Sequence, residues 1–230
     1  MSAAGSGQFR EGTMRFKAVI TYFAVMAFGL SIFGSSIQAK DGALQIVGFG
    51  DSLMAGYQLP QEDALPAQLQ KALTAKGIDT VIVNAGVSGD TSAAGLARVD
   101  WSIPDGTDGV ILELGANDAL RGIAPEETEK NLKAIIGRLR DRGIEVLLVG
   151  MIAPPNMGSD YRDRFNPIYQ RLADEYDLAF YPFVLDGVVT EPGLKIEDGM
   201  HPNAKGVAVM VERMLPAVER FIGSISSNPN

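Results

Sequence analysis

The stretch Ile46–Tyr57, which reads IVGFGDSLMAGY, organises the rest of the chain. It overlaps an apolar run, Leu44–Phe49, that predicts a buried strand. The run ends in Gly50-Asp51-Ser52, where glycine permits a sharp turn. Ser52 would then lie at the carboxyl end of a strand, where open α/β sheets usually bind ligands. A hydroxyl in this place is a candidate nucleophile, but it needs a base that takes its proton.

The chain offers one imidazole for that task, His201, within the segment DGMHP at 198–202. Asp198 lies three residues upstream in a predicted tight turn, so its carboxylate can reach the second ring nitrogen and fix the tautomer. Ser52 would attack a carbonyl carbon, and His201 would accept the proton and later give it to the leaving group. These residues together predict acyl transfer.

Predicted strands and helices alternate along the chain, a pattern typical of a parallel sheet covered by helices on both faces. The predicted strands are 44–49, 80–83, 109–114, 145–150 and 178–183, and the predicted helices are 66–76, 91–99, 125–143, 161–176 and 203–222. We expect Pro167 to kink the helix 161–176. The fold class is therefore α/β.

Polar turns follow the first three predicted strands, with Ser52 after the first, Gly89 after the second and Asn117 after the third. Strand ends of a parallel sheet share one edge, so the amides of Ser52 and Gly89 and the side-chain NH2 of Asn117 are candidate donors to an oxyanion. Each turn taken alone is common in proteins. We interpret their occurrence together, in this order, as a site.

Four sequence blocks carry a resemblance to a known family: GDSLMAGY at 50–57, SGDTSAAGLAR at 88–98, LELGANDALRG at 112–122 and DGMHPN at 198–203. With them the chain resembles the SGNH hydrolases, also called GDSL esterases and lipases, over nearly all of 44–204. Within that family it is most similar to the bacterial secreted thioesterase I/arylesterase branch. One departure is Ala116, where close relatives are expected to have glycine.

The resemblance implies a flavodoxin-like three-layer α/β/α sandwich with a central parallel sheet of about five strands. It implies Ser52, Asp198 and His201 as a catalytic triad, with Gly89 and Asn117 joining Ser52 in an oxyanion hole. The implied activity is hydrolysis of acyl esters and thioesters, as in arylesterases, acyl-CoA thioesterases and lysophospholipases.

The resemblance also implies a mobile loop after Asn117, at about 119–125, that covers the acyl chain of the substrate. We further expect substrate contacts close to this loop and to the nucleophile. The residues expected to make them are Asp51, Asp118, Ala119, Leu120 and Arg121.

Composition excludes several classes of function. The chain has no cysteine and one histidine, which excludes thiol catalysis, disulfides, cysteine-ligated metal and histidine-rich metal sites. We expect no cofactor and no metal. Net charge is −8, and the first 39 residues carry three basic residues against one acid, so residues 40–230 carry −10. Such an acidic body is a poor ligand for nucleic acid. The expected partner is a small-molecule ester or thioester, and we expect a monomer.

The N-terminal residues have the order of a secretory signal peptide. Residues 14–39 contain a basic start, an apolar stretch at 18–33 and small residues before Lys40. We expect cleavage near Ala39-Lys40, a periplasmic or secreted product, and no stable membrane partner after cleavage. Residues 1–13 form a polar extension, and 40–230 is expected to be a single domain. An uncleaved membrane anchor is the alternative, although the apolar run is short for a span.

Four other classes of protein are compatible with parts of this sequence. A dinucleotide-binding turn would need a third glycine where Leu53 stands. The Gly-x-Ser-x-Gly elbow of ordinary α/β-hydrolases is absent around Ser52. A carbohydrate O-deacetylase of the same fold and a catalytically inactive ligand-binding member are the two remaining alternatives.

Overall fold

A computed structural model describes residues 42–227, so the extension and signal peptide predicted for 1–39 lie outside the described residues. These residues contain a five-stranded sheet in which all neighbouring strands are parallel. The strands are β1 (Leu44–Gly50), β2 (Thr80–Gly86), β3 (Gly109–Glu113), β4 (Glu145–Val149) and β5 (Ala179–Tyr181). Their spatial order is β2-β1-β3-β4-β5, which is the flavodoxin-like order. The predicted α/β fold is thereby confirmed.

Helices cover both faces of this sheet. They are α1 (Ser52–Ala55), α2 (Leu65–Ala75), α3 (Ser92–Ser102), α4 (Ala116–Leu120), α5 (Pro125–Asp141), α6 (Ser159–Phe165), α7 (Ile168–Tyr176) and α8 (Ala204–Ser227). Helix α2 packs against α8, and α5 packs against both α3 and α7. In parallel sheets crossovers are almost always right-handed, and with this strand order that rule places the two groups on opposite faces.

The core lies on both sides of the central strands. Every residue of β3 is buried, and in β1 every residue but Gln45 is buried. Strands that are covered on both faces are continuous apolar runs in the sequence. This explains why these segments show no alternation of apolar and polar residues. The site described below therefore rests on the buried central strands.

Pro167 has a larger effect than the predicted kink. The predicted helix 161–176 is divided into α6 and α7, because proline lacks the N–H needed to continue a helix and its ring clashes with the preceding turn. The break leaves the side chain of Asn166 free to accept a hydrogen bond from the Ala153 amide, at 2.9 Å. It thereby fixes the chain that follows β4.

Two short helices, α1 and α4, were not predicted, and each begins within three residues of the end of a strand. Ala119 and Leu120, at the start of the segment expected to be a mobile loop, belong to α4. Between residues 42 and 227, no helix combines the length and the apolar character needed to span a bilayer.

Candidate active site

Ser52 is the first residue of α1, directly after β1, and its side chain is nearly buried. The Asp51 carboxylate caps this helix by accepting a hydrogen bond from the Leu53 amide at 3.0 Å. Helix α1 packs closely on β2 because position 86 is glycine; a Cβ there would collide with the backbone of Ala55. Local sequence thus fixes the serine at the carboxyl edge of the sheet.

The three side chains predicted to form a triad lie in one hydrogen-bonded chain. The Ser52 Oγ is 2.8 Å from the His201 Nε2, and the His201 Nδ1 is 2.5 Å from Asp198 Oδ2. An aspartate on Nδ1 keeps the proton of a neutral imidazole on that nitrogen, so the Nε2 lone pair faces the serine hydroxyl. This arrangement is able to take a proton from Ser52.

Asp198 is held in its ionised form by the tight turn that it begins. Its Oδ1 accepts hydrogen bonds from the amides of Met200, at 2.8 Å, and His201, at 3.0 Å. Burial alone would raise the pKa of Asp198, but these bonds and the His201 ring outweigh it and lower the pKa to about 2. The Tyr57 ring lies against the imidazole, with 4.6 Å between ring centroids.

The three candidate oxyanion donors lie on neighbouring turns. The Ser52 amide is at a helix N-terminus, where N–H groups have no partner within the helix. Gly89 has φ +88°, a conformation that favours glycine. The Asn117 Nδ2 donates to Asp51 Oδ2 at 3.1 Å and to the Asp90 carbonyl at 3.0 Å. These two acceptors orient the NH2 group, rather than the oxygen, of Asn117 toward the nucleophile turn.

A cavity of about 800 Å³ opens onto Ser52 and His201. Its apolar wall consists of Leu53, Ala116, Ala119, Leu120, Met151, Ile152, Ala153, Pro154, Pro155, Phe183, Leu185, Val189 and Met200. The polar residues on its lining are Ser52, Asn117, Arg162, Asn166, Thr190, Lys195 and His201. An apolar pocket with a few convergent polar groups is the usual form of a small-molecule site.

Asp51 and Asp118, which were expected to contact the substrate, lie behind the site. Both side chains are fully buried, and neither lines the cavity. The Asp118 carboxylate accepts hydrogen bonds from the Ser92 amide (2.7 Å), the Ser92 hydroxyl (2.5 Å) and the Thr128 hydroxyl (3.1 Å). It joins α4 to α3 and α5, so it supports the site from behind.

Of the other three residues that were expected to contact the substrate, two line the cavity and one does not. Ala119 and Leu120 line the cavity, and Leu120 is about half exposed there. Arg121 is absent from the cavity lining; its guanidinium donates to the Gly89 carbonyl at 2.9 Å instead. Arg121 therefore contacts a candidate oxyanion turn rather than the cavity.

Glu113 forms a buried acid pair with Asp51, which the sequence analysis did not anticipate. The Asp51 amide is 3.3 Å from Glu113 Oε2, and both side chains are fully or almost fully buried. Burial raises the pKa of Asp51 to about 6, and burial together with the charge of Asp51 raises the pKa of Glu113 well above its usual range. Burial thus disfavours the ionised form of both carboxyl groups in this pair.

Two further walls of the cavity were also missed. One follows β4 (151–155) and the other follows β5 (183–190). Both come directly after predicted strands, so the edge rule that located Ser52 and Asn117 applies to them, but they carry no residue that stands out chemically. Among residues 42–227, no cluster of three or more His, Cys, Asp or Glu side chains is arranged to hold a metal.

Comparison with known proteins agrees with this geometry. The sequence profile of the GDSL-like lipase/acylhydrolase family matches residues 49–209. An arylesterase of Vibrio mimicus is 38% identical over 180 residues, which is 78% of this chain and 90% of the relative. Thioesterase 1/protease 1/lysophospholipase L1 of Escherichia coli K12 is 40% identical over 174 residues, 75% of this chain and 82% of the relative.

A solved structure is similar as well. The SGNH-hydrolase family esterase AlinE4 is 46% identical, with a TM-score of 0.66, over 77% of this chain and 96% of that one. The resemblance proposed from the four sequence blocks is confirmed.

Proposed function

We propose that this chain, which belongs to the GDSL-like lipase/acylhydrolase family, hydrolyses acyl esters and thioesters through an acyl-enzyme on Ser52. Its relatives at 38–40% identity make it a carboxylic-ester hydrolase. The observation that carries the mechanism is the Ser52–His201–Asp198 chain at the mouth of an apolar cavity. The residue roles and the range of substrates given below are our proposal.

In the first half of the reaction, the Ser52 Oγ attacks the substrate carbonyl carbon while His201 Nε2 accepts the hydroxyl proton. The carbonyl oxygen becomes an oxyanion that accepts hydrogen bonds from Ser52 N–H and Gly89 N–H, and from the Asn117 NH2 once one of its two N–H groups exchanges Asp51 or the Asp90 carbonyl for the oxyanion. His201 then gives its proton to the departing alcohol or thiol. Asp198, ionised because its pKa is low, stabilises the transient imidazolium.

In the second half, water takes the place of the alcohol. His201 accepts a proton from the water, whose oxygen attacks the acyl carbon of the ester on Ser52. The same donors hold the second oxyanion, and the proton returns to the Ser52 Oγ as the acid leaves. No cofactor takes part in this scheme.

The cavity favours medium or long acyl chains over acetyl groups. Its volume of about 800 Å³ lies in the upper part of the usual range for ligand sites, and its wall is predominantly apolar. Burial of each further methylene group is worth about 0.8 kcal/mol, which corresponds to roughly a fourfold gain in kcat/KM while space remains. Arylesters, acyl-CoA thioesters and lysophospholipids all present such a chain next to a reactive carbonyl.

Hydrolysis of p-nitrophenyl esters from acetate to palmitate tests this proposal, with Ser52→Ala measured in parallel. We expect kcat/KM to rise with chain length to a maximum at medium or long chains, and the variant to be inactive. Cleavage of acetate alone would replace this proposal by a carbohydrate O-deacetylase. An inactive wild-type protein would favour a ligand-binding member of the family.

We also propose that the protein is exported and that the leader predicted at 14–39 is removed. The sequence order of that segment supports the proposal. Expression in a Gram-negative host followed by N-terminal sequencing of the periplasmic product should give a chain that starts near Lys40. Retention of the leader in the membrane fraction would instead indicate an uncleaved anchor.

A further inference from the structure

Arg98 is a buried cation directly behind the candidate site. From α3, its guanidinium donates to the Gly50 carbonyl at 2.9 Å, to the Ala85 carbonyl at 2.9 Å and to Asp90 Oδ2 at 2.6 Å. The same group lies 4.0 Å from the centre of the Phe49 ring, a distance that allows a cation–π contact. Arg98 therefore holds three separate chain segments at one edge of the sheet.

Each candidate oxyanion donor lies close to a group that Arg98 binds. Gly50, whose carbonyl accepts from Arg98, lies two residues before Ser52, and Asp90 directly follows Gly89. The Asp90 carbonyl in turn accepts the hydrogen bond from Asn117 Nδ2. One guanidinium thus fastens the backbone next to two donors and, through Asp90, orients the third.

The chemistry of this position suits arginine and not lysine. A planar guanidinium presents five N–H donors in a fixed fork, whereas an ammonium is a point charge on a flexible stem. The Arg98–Asp90 ion pair is almost entirely removed from solvent, so removal of either partner leaves an uncompensated buried charge. Arg98 does not line the cavity, so it has no direct route to the substrate.

We infer that Arg98 is a positioning residue that sets the geometry of the oxyanion hole. The inference rests on the proposed function, since it concerns the same reaction. A donor displaced from its place loses transition-state stabilisation while ground-state binding in the cavity is unchanged. The effect is therefore specific to kcat.

The test compares Arg98→Lys with Arg142→Lys. Arg142 is a matched control, because its guanidinium also holds a loop by donating to backbone, at 2.7 Å to the Ile103 carbonyl, but at the amino edge of the sheet. We expect Arg98→Lys to lower kcat for the preferred p-nitrophenyl ester by about 10- to 100-fold, below the loss of a complete donor. KM should change by less than about twofold. Arg142→Lys should lower Tm and leave kcat unchanged.

A second readout separates positioning from general loosening of the fold. A trifluoromethyl ketone that carries the preferred acyl chain adds to the serine and forms a tetrahedral oxyanion. Its inhibition constant should rise in Arg98→Lys by the same factor by which kcat/KM falls. Asp90→Asn, which keeps the side-chain shape, should act in the same direction. The double variant Arg98→Lys/Asp90→Asn should lose less than the product of the two single losses.

Three results would overturn the inference: an unchanged kcat in both Arg98→Lys and Asp90→Asn, an equal loss of kcat in Arg142→Lys, or an effect on KM alone. If Arg98→Lys does not fold, Asp90→Asn and its inhibition constant decide. A wild-type protein that cleaves no ester would refute the proposed function and this inference with it. Active wild type with unaffected variants would refute only the role of Arg98.

Discussion

The two edges of the sheet differ in the kind of polar side chain that they bury. The buried ionisable side chains among residues 42–227 are Asp51, Arg98, Glu113 and Asp118, and all four lie at or behind the carboxyl edge. At the amino edge the buried polar side chains are two neutral threonines, Thr80 and Thr107. Among the described residues, the sheet thus buries neutral polar side chains at its amino edge and ionisable side chains at its carboxyl edge.

The carboxyl edge is therefore the place where burial of ionisable groups disfavours folding. Burial of charge is unfavourable unless each group finds a partner, and replacement by apolar residues is often neutral or stabilising. The charges lie around the serine turn and the two neighbouring turns, where Ser52, Gly89 and Asn117 must be held in place. The amino edge only has to close loops, which it does with hydrogen bonds from the Thr107 hydroxyl and from the partly exposed Arg142 guanidinium.

The largest expected effect is loss of the nucleophile. Ser52→Ala should lower kcat by about 10^4 to 10^6, because the acyl-enzyme cannot form, and leave folding intact. Steady-state kinetics on the preferred p-nitrophenyl ester measures this, with circular dichroism to confirm the fold. Ser224→Ala, on α8, is the matched control and should keep full activity. Wild-type turnover in Ser52→Ala would remove the basis for the mechanism.

The second effect is loss of one oxyanion donor. Asn117→Ala should lower kcat by about 10^2 to 10^3, because its amide acts on the charge that develops in the transition state. Asn131→Ala is the control: its amide donates to the Ser92 hydroxyl at 3.0 Å, away from the cavity, so it should alter Tm and not kcat. A change confined to KM in Asn117→Ala would make Asn117 a ground-state binding residue.

The third effect concerns the stability of the buried acid pair. The pKa of Glu113 is raised in the folded state, so the folded protein binds more protons than the unfolded chain as soon as the pH exceeds the unfolded value of about 4.3. Its unfolding free energy therefore falls with rising pH in that window. Glu113→Gln lacks this titration, so its stability relative to wild type should increase from pH 4 to pH 8.

The size of this change is limited to about 1.4 kcal/mol per pH unit for one proton. Denaturant unfolding of both proteins across the pH range measures it. A stability difference that does not depend on pH would show that Glu113 is ionised in the folded protein.

The smallest effect is expected at the amino edge. Thr107 is buried, and its hydroxyl donates to the Pro104 carbonyl at 2.8 Å. Thr107→Val should lower the unfolding free energy by about 1 kcal/mol, the usual net value of one hydrogen bond, and leave kcat unchanged. A loss of activity from this change would contradict the separation of the two edges.

The activity should also fall in acid, because a protonated imidazole cannot accept the Ser52 proton. The pKa of Asp198 is lowered to about 2, so this carboxylate stays ionised well into the acidic range. The pH–rate profile should therefore fall on its acidic side without a contribution from Asp198. An acidic limb that persists in His201→Ala would mean that another group titrates.

Much of the site was predictable because chemistry and topology coincide in this sequence. One histidine, an aspartate three residues before it and a serine at a strand end leave few possible arrangements, and the structure places them in hydrogen-bonding contact. Burial was not predictable in the same way. Asp51 and Asp118 stand next to Ser52 and Asn117 in the sequence, but their side chains point into the fold.

The walls of the cavity were not predicted, for a related reason. Segments 151–155 and 183–190 are predominantly apolar, and the sequence does not show whether an apolar residue faces a core or a pocket. Glu113 was missed because a single acid within a buried strand has no partner in sequence; Asp51 becomes its neighbour only through the pairing of β1 with β3. Contacts that arise from strand pairing cannot be predicted from local sequence patterns.

The most direct test of the central claim is covalent labelling with an alkyl fluorophosphonate, followed by mass spectrometry of the intact protein and of its peptides. Our account predicts one adduct per chain, located on Ser52, absent in Ser52→Ala and strongly slowed in His201→Ala. An adduct on another residue, or equal labelling of Ser52→Ala, would contradict it.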